Sequence, residues 1–244
     1  VVAGQTFTLT TSLDTLTGAA TNDTFSAVDA DAIASVPQTT LNAGDSINAG
    51  AGTDRLSIVA SGSNATSAQL ASSTVEEVAI YNNTGSTYTV DTTLMSGLTD
   101  LYVVAGTGGV VFDGVNSSPN VHLTSVSQAV TVTNAATVGL GDADAVTIAL
   151  NGGAATGNAT LTYNDIETFN VVTSGAATGT ASFTQTLASD QLETVNISGS
   201  AAAKISATMS GAATVSQVGT LDASGMTGAL TATVGAGVSG ILSV

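Results

Sequence analysis

The sequence predicts an all-β protein wound as a right-handed parallel β-helix, a solenoid of short stacked strands. Three observations carry that expectation: a strand-forming composition, a nine-residue repeat near the N-terminus, and a longer repeat of about two dozen residues after it. The 244 residues are 43% hydrophobic, yet aromatics make up only 4% and Trp is absent. Ala and Val supply most of the apolar surface, and side chains that small fill a core only where backbone layers lie close and regularly. Thr and Val favour pleated, half-buried surfaces, Gly marks turns, and just two prolines interrupt the chain, which together argue for strands over helices. The competing architecture with the same ingredients is a tandem pair of β-sandwich domains.

The short repeat occupies the N-terminal quarter. Gln5-Thr-Phe-Thr, Asp14-Thr-Leu-Thr and Asp23-Thr-Phe-Ser are nine residues apart, and Asp45-Ser-Ile-Asn and Asp54-Arg-Leu-Ser are again nine apart. Fixed periods of this kind signal folds in which each unit buries its face only against its neighbours. The longer repeat reads apolar, acidic, any, apolar, any, apolar: Val75-Glu-Glu-Val-Ala-Ile, Ile166-Glu-Thr-Phe-Asn-Val and Leu192-Glu-Thr-Val-Asn-Ile, with Leu98-Thr-Asp-Leu-Tyr-Val and Leu221-Asp-Ala-Ser-Gly-Met as weaker relatives. Successive starts are separated by 23, 68, 26 and 29 residues, and Val121-His-Leu and Val146-Thr-Ile lie near the frames that the interval of 68 skips. Runs such as Ala129-Val-Thr-Val-Thr, Leu161-Thr-Tyr and Leu230-Thr-Ala-Thr-Val alternate as strands do. Glycine-rich spacers, Asn151-Gly-Gly-Ala-Ala-Thr-Gly and Ser174-Gly-Ala-Ala-Thr-Gly, mark corners. The expected organisation is residues 1–60 as one repetitive segment and 61–244 as a solenoid continuous with it.

Charge narrows the function. Two basic residues, Arg55 and Lys204, stand against eighteen acidic ones for a net charge of −16. Nucleic acid and anionic membrane surfaces are held by clustered Lys and Arg, so neither is an expected partner, whereas cations are. Cysteine is absent, which removes disulfides and thiolate metal sites. No stretch approaches the roughly 20 apolar residues of a membrane span. The chain lacks an initiating Met and stops at Val244 within a continuing Gly/Thr/Val pattern, so a processed product or a piece of a longer protein is expected.

The aspartates give the repeat a chemistry. The nonapeptide G-G-x-G-x-D-x-U-x, with U a large apolar residue, is a calcium-binding turn of the parallel β-roll. Ala49-Gly-Ala-Gly-Thr-Asp-Arg-Leu-Ser fits it with Ala49 in place of the first glycine. Gly50 and Gly52 permit backbone angles that aim carbonyl oxygens inward, Asp54 supplies a carboxylate, and Leu56 points to the core. Calcium takes six to eight oxygens at roughly 2.3 to 2.6 Å, more than one turn offers, so ligands are shared between successive turns, nine residues being one half-coil. Gly18-Ala-Ala-Thr-Asn22-Asp23-Thr-Phe and Leu41-Asn-Ala-Gly44-Asp45-Ser-Ile-Asn are degenerate copies. One or two calcium ions are expected in residues 14–56, with Asp14, Asp23, Asp45 and Asp54 as carboxylate ligands, Asn22 and Asn48 as carbonyl donors, and Gly18, Gly50 and Gly52 as turn formers. A further candidate cluster is Asp142 and Asp144. The bland reading of any single aspartate is a turn former bonding its own backbone. Glu76, Glu77, Glu167 and Glu193 are expected to cap corners or face solvent.

With those motifs in view, DTLTGAATNDTF, a variable insert, and TLNAGDSINAGAGTDRLSI, followed by Thr/Ala/Val/Gly-rich sequence punctuated by (I/L)-E-T-(V/F)-N-(V/I), resemble the RTX-type surface-layer proteins and related large type I-secreted surface proteins of Gram-negative bacteria. The motif covers residues 5–58; the remainder is alike in composition. The resemblance implies an extracellular location at the bacterial cell surface, calcium-dependent folding outside the cell, and self-assembly into a lattice or filament. It also implies anchoring to a cell-surface polysaccharide through regions outside this sequence.

Enzymatic parts are scarce. Without cysteine, with His122 alone and with Arg55 and Lys204 showing no obvious partners, triads, zinc sites and phosphate clamps lack their components. His122 sits between Val121 and Leu123 in an alternating strand, as a surface histidine does. Parallel β-helices do host polysaccharide-acting enzymes, but here the acids fall at repeat positions rather than in a separate pair. The expected function is a structural surface component and no enzyme. The alternatives are a calcium-rigidified adhesin or ice-binding region presenting Thr-x-Thr arrays such as Thr6-Phe-Thr8 and Thr231-Ala-Thr233, and, further off, a polysaccharide-acting β-helix.

Overall fold

In the computed structural model the described residues are 3–30, 39–62, 67–126, 128–134, 144–151, 158–163, 166–175, 183–189, 192–209, 219–234 and 242–243. They form strands and turns with no helix among them. Along the first part of the chain the strands are β1 (Thr6–Thr8), β2 (Thr15–Thr17), β3 (Thr24–Ala30), β4 (Ser46–Asn48), β5 (Arg55–Ser61), β6 (Ser67–Gln69), β7 (Ser72–Ser73), β8 (Glu77–Asn83) and β9 (Tyr88–Asp91). Then follow β10 (Asp100–Val104), β11 (Val110–Val115), β12 (Asn120–Thr124), β13 (Val130–Asn134), β14 (Ala145–Asn151), β15 (Asn158–Tyr163) and β16 (Thr168–Ser174). The last are β17 (Phe183–Ser189), β18 (Thr194–Gly199), β19 (Ala203–Met209), β20 (Thr220–Met226), β21 (Leu230–Val234) and β22 (Leu242–Ser243).

These strands stack into three sheets, one of eleven strands in the order β1-β3-β5-β8-β10-β12-β14-β16-β18-β20-β22, one of eight running from β6 to β21, and one of three, β2-β4-β7. Neighbours in a sheet are parallel and one coil apart in sequence: Thr6 lies beside Thr24, Arg55 beside Glu77, Glu77 beside Asp100, and Thr168 beside Thr194. This is a parallel β-solenoid. It excludes the sandwich alternative, whose sheets are antiparallel. The periodicity read from the sequence is the coil length, since the acid-apolar segments at Val75, Leu98, Ile166, Leu192 and Leu221 lead into or contain successive strands of the eleven-stranded sheet. The skipped frames at Val121 and Val146 are β12 and β14.

The cross-section changes along the axis. Through β5 the chain alternates between the large sheet and the three-stranded one, so Gln5 to Asp23 is a full turn in two nine-residue halves. From β5 to β8 it visits all three sheets. The three-stranded face then dwindles to a single bridge between Ser73 and Met95, and later coils alternate between the eleven- and eight-stranded sheets.

Strand alternation produces the core. One interior row runs Phe25, Leu56, Val78, Leu101, Val121, Ile148, Val171, Ile197, each beside the next in register and all at most 1% exposed. The facing sheet contributes Tyr88, Val110 and Val130, and Val90, Phe112 and Val132, in the same manner. Phe7 stacks on Phe25 with ring centroids 5.0 Å apart and covers the N-terminal end of the row. Where β1 stops, the chain returning at Thr40 bonds the far end of β3: the Thr40 amide donates to the Val28 carbonyl at 2.7 Å, and the Val28 amide donates to Thr40 Oγ1 at 2.8 Å. An edge that would otherwise carry free amides is thereby paired.

Candidate metal centre

Each coil of the N-terminal roll turns at two corners, and an aspartate stands just before the strand that leaves each one: Asp14 before β2, Asp23 before β3, Asp45 before β4, Asp54 before β5. Because nine residues make half a coil, Asp14 and Asp23 lie on opposite edges of the roll. The stacked pairs are Asp14 with Asp45 and Asp23 with Asp54, each 31 residues apart.

A common bonding pattern links them. Asp45 Oδ1 accepts the Asp14 amide of the neighbouring coil at 2.9 Å while Oδ2 accepts the Asn42 amide of its own turn at 2.7 Å. Asp23 Oδ1 accepts the Gln5 amide of the neighbouring coil at 2.7 Å and Oδ2 accepts Ala19 of its own turn at 2.6 Å. Those two amide bonds, Gln5 first, hold the Asp23 carboxyl below its ordinary value against the opposing effect of burial. Asp14 Oδ2 accepts the Thr10 amide at 2.6 Å. In each case the carboxylate supplies an acceptor to a turn amide that no strand partner reaches.

Asp54 breaks the pattern. Its Oδ1 accepts the Asp23 amide at 2.6 Å, but its Oδ2 is buried without any hydrogen-bond partner, on a residue 0% exposed. The turn before it explains why. Gly50 (φ 100°) and Gly52 (φ 141°) take angles that L side chains rarely adopt, and this path directs the Ala51 amide to the Ala19 carbonyl at 3.1 Å and the Thr53 amide to Asn22 Oδ1 at 3.1 Å. No amide of this turn bonds Asp54 Oδ2. A buried acceptor left unmade costs about 1 to 3 kcal/mol, more when charged, so an oxygen in this setting suits a cation.

Calcium takes hard oxygens, carboxylate and carbonyl among them. A Cβ on Gly18 would fall 2.0 Å from the Ala49 carbonyl oxygen and 2.8 Å from Asp23 Oδ2, so only glycine lets both oxygens border the space between the two turns. Among the described residues no three acidic or histidine side chains converge on one point. A bound calcium would therefore draw mainly on backbone and amide oxygens beside the Asp54 carboxylate. Asn48 offers its carbonyl to the Gly18 amide at 2.8 Å. The Asp144 amide donates to Glu167 Oε2 at 2.7 Å, and Asp142 lies outside the described residues.

The glutamates expected to cap corners do so at Glu76 and Glu167; what sequence reasoning missed is their partners and a second arrangement. Glu76 Oε2 accepts the Asp54 amide at 2.8 Å, 22 residues back, and Glu167 does the same for Asp144, 23 residues back. The glutamates of the longer repeat thus staple one coil to the preceding one as the aspartates do, and stepping back one coil length from each would have found the partner. The second is on the outer face of the large sheet. Arg55, expected to lack a partner, pairs with Glu77 at 2.6 Å, and its guanidinium lies 4.3 Å over the Tyr102 ring. Tyr102 stacks on His122 at 4.3 Å, and His122 Nε2 meets Asp100 Oδ1 at 2.6 Å. Burial, then the carboxylates of Glu77 and Asp100, push the Tyr102 hydroxyl up.

No protein-family model matches this chain, and no curated protein matches it.

Proposed function

We propose that this chain is a structural component of a bacterial surface layer or comparable extracellular assembly, folded in a calcium-dependent way and associating with copies of itself. The observation that carries the calcium half of the reading is the buried, unpartnered Asp54 Oδ2 in the one turn whose sequence best fits the RTX nonapeptide. Asp54 would hold the ion through that oxygen, with Asp23, Asn22 and the backbone carbonyls of turns 18–23 and 49–54 as neighbouring donors. Bound calcium supplies positive charge where the stacked turns place carboxylates together. The protein's own residues do the rest: the Asp23 amide fixes Asp54 Oδ1, the glycines keep the turns close, and Glu76 anchors the roll to the following coil.

The structural half of the reading rests on where the acids are used. Asp14, Asp23, Asp45, Glu76 and Glu167 spend oxygens on backbone amides, an occupation that suits a scaffold better than acid-base chemistry on a substrate. Extracellular calcium modules bind with dissociation constants of about 0.1 to 1 mM, so the site fills after export by a type I route and adds about 1.4 kcal/mol at tenfold excess over the dissociation constant.

Thermal unfolding followed by circular dichroism, in millimolar calcium and in EGTA, tests the first half: a higher melting temperature with calcium is expected, and Asp54→Asn should abolish the gain. Superimposable curves for the unaltered protein reject it. Electron microscopy of the purified chain at millimolar calcium tests the second, with ordered sheets or filaments as the expected outcome.

A further inference from the structure

The outer face of the eleven-stranded sheet gathers most of the large apolar side chains exposed on the described surface. Five of the seven large apolar side chains exposed among the described residues stand on it: Val28, Val59, Tyr81, Val104 and Val172. Four of them form one uninterrupted row, Val28 beside Val59, Val59 beside Tyr81, and Val104 next in the same register. At about 4.8 Å per strand the row is roughly 14 Å long. Flanking it, two to four residues along the strands, is the cluster of Arg55, Glu77, Tyr102, Asp100 and His122, which holds the chain's one arginine and one histidine. Tyr81, exposed, and Tyr102, half-buried, therefore share this face, while Tyr88 and Tyr163 are buried in the core.

Tyr and Arg are residue types that carry binding energy at protein contacts, and the valines beside them add apolar area to cover. Here the tyrosine and arginine of the cluster are held before any partner arrives: Tyr102 is clamped between Arg55 and His122, and Arg55 is fixed by Glu77. Pre-ordered side chains lose less entropy on association. The clamp also argues against a sugar ligand, because both ring faces of Tyr102 are covered and the surface is a flat sheet rather than a groove.

Charge and size point to a second copy. The chain carries −16 overall, yet the described outward side chains of this sheet include only Glu77, Asp100 and Asp222 as acids, with Arg55 opposing them; the other acids described sit at corners, inside the coil or on the other sheet. Two such chains meet here with far less like-charge repulsion than at their corners. Eleven strands at about 4.8 Å, averaging roughly 19 Å in length though β1 and β22 are much shorter, give a face of about 1,000 Å², enough for the about 800 Å² per partner of a stable interface.

We infer that this face, with the Val28–Val59–Tyr81–Val104 row near its β1 end and Val172 farther along it, is where two copies of the chain bind each other, in an isologous contact. The inference rests on the self-association proposed above and names its surface. The test is sedimentation velocity over a concentration series in millimolar calcium with the 244-residue chain, its Val59→Lys and Tyr81→Ser variants, and Thr133→Lys, which alters an exposed residue on the eight-stranded sheet. All three sites are at the surface, and circular dichroism confirms folding. Association by the unaltered chain, weakened on the order of tenfold by Val59→Lys and Tyr81→Ser and untouched by Thr133→Lys, supports the inference. Association that the two face variants leave intact overturns it while preserving self-assembly through another surface. No association by any chain overturns both readings.

Discussion

The N-terminal roll and the later coils solve one problem with different acids. Wherever a solenoid turns a corner, the backbone amide entering the next strand has no ladder partner. In the roll the acceptor is an aspartate, whose short side chain brings the turn itself close: Asp45 binds the amide of Asp14, Asp23 that of Gln5, and Asp54 that of Asp23. In the later coils the acceptor is a glutamate, as at Glu76 and Glu167, which reaches the preceding coil without a glycine-rich turn. The difference teaches that the roll concentrates carboxylates and, among the described residues, leaves one buried carboxylate oxygen, Asp54 Oδ2, without a hydrogen-bond partner, the atom on which the proposed calcium dependence turns, whereas the described later corners at Glu76 and Glu167 are closed by the chain's own atoms.

The comparison is sharpened first in the core, where the largest effect is expected. Phe169→Ala and Phe25→Ala each remove a ring that is 0% exposed and should cost about 3 to 5 kcal/mol in chemical denaturation. The calcium concentration needed for half-maximal stability should rise for Phe25→Ala alone, since only that ring lies in the roll.

Next come the corners. Glu167→Ala leaves the Asp144 amide without its acceptor and should lose about 1 to 3 kcal/mol equally with and without calcium. Glu167→Gln, which keeps an acceptor oxygen, should lose less. An effect of Glu167→Ala that vanished on adding calcium would erase the distinction between the two regions.

Acid acts on the roll through Asp23, while in the later coils hydrogen bonds from Ser224 lower the carboxyl of Asp222. The Asp23 carboxyl is depressed below 3.8 by the amides of Gln5 and Ala19. A group whose folded value is lowered contributes stability above the unfolded value and loses it as pH falls through the folded one. The roll should therefore weaken below about pH 4, and Asp23→Asn should flatten that part of the melting temperature against pH curve. The smallest effect is expected at the outer face: Arg55→Ala breaks a partly exposed ion pair and should change monomer stability by no more than about 1 kcal/mol.

Much of this architecture is legible in the sequence because a solenoid writes its geometry as a period. Nine residues in Asp14 to Asp23 is half a coil, and the interval from Ile166 to Leu192 is a full one, so strand positions and interior rows follow from counting. Contacts that cross several coils are not legible in this way. Arg55, Tyr102 and His122 meet only because Ala79, small and 9% exposed, lies between β5 and β10 and lets the tyrosine ring reach over it. The stacking of Asp23 on Asp54 is hidden by the insert between β3 and β4, which stretches one coil from 18 residues to 31. Nor could spacing show that Asp54 keeps a buried oxygen without a partner, since that depends on where the Ala51 and Thr53 amides turn.

Hydrogen exchange of the 244-residue chain, read peptide by peptide in EGTA and in millimolar calcium, tests the central claim most directly. Slower exchange on adding calcium across residues 14–56, with little change in β10 to β13, is the expected result. Equal exchange of both regions in the two conditions would contradict it.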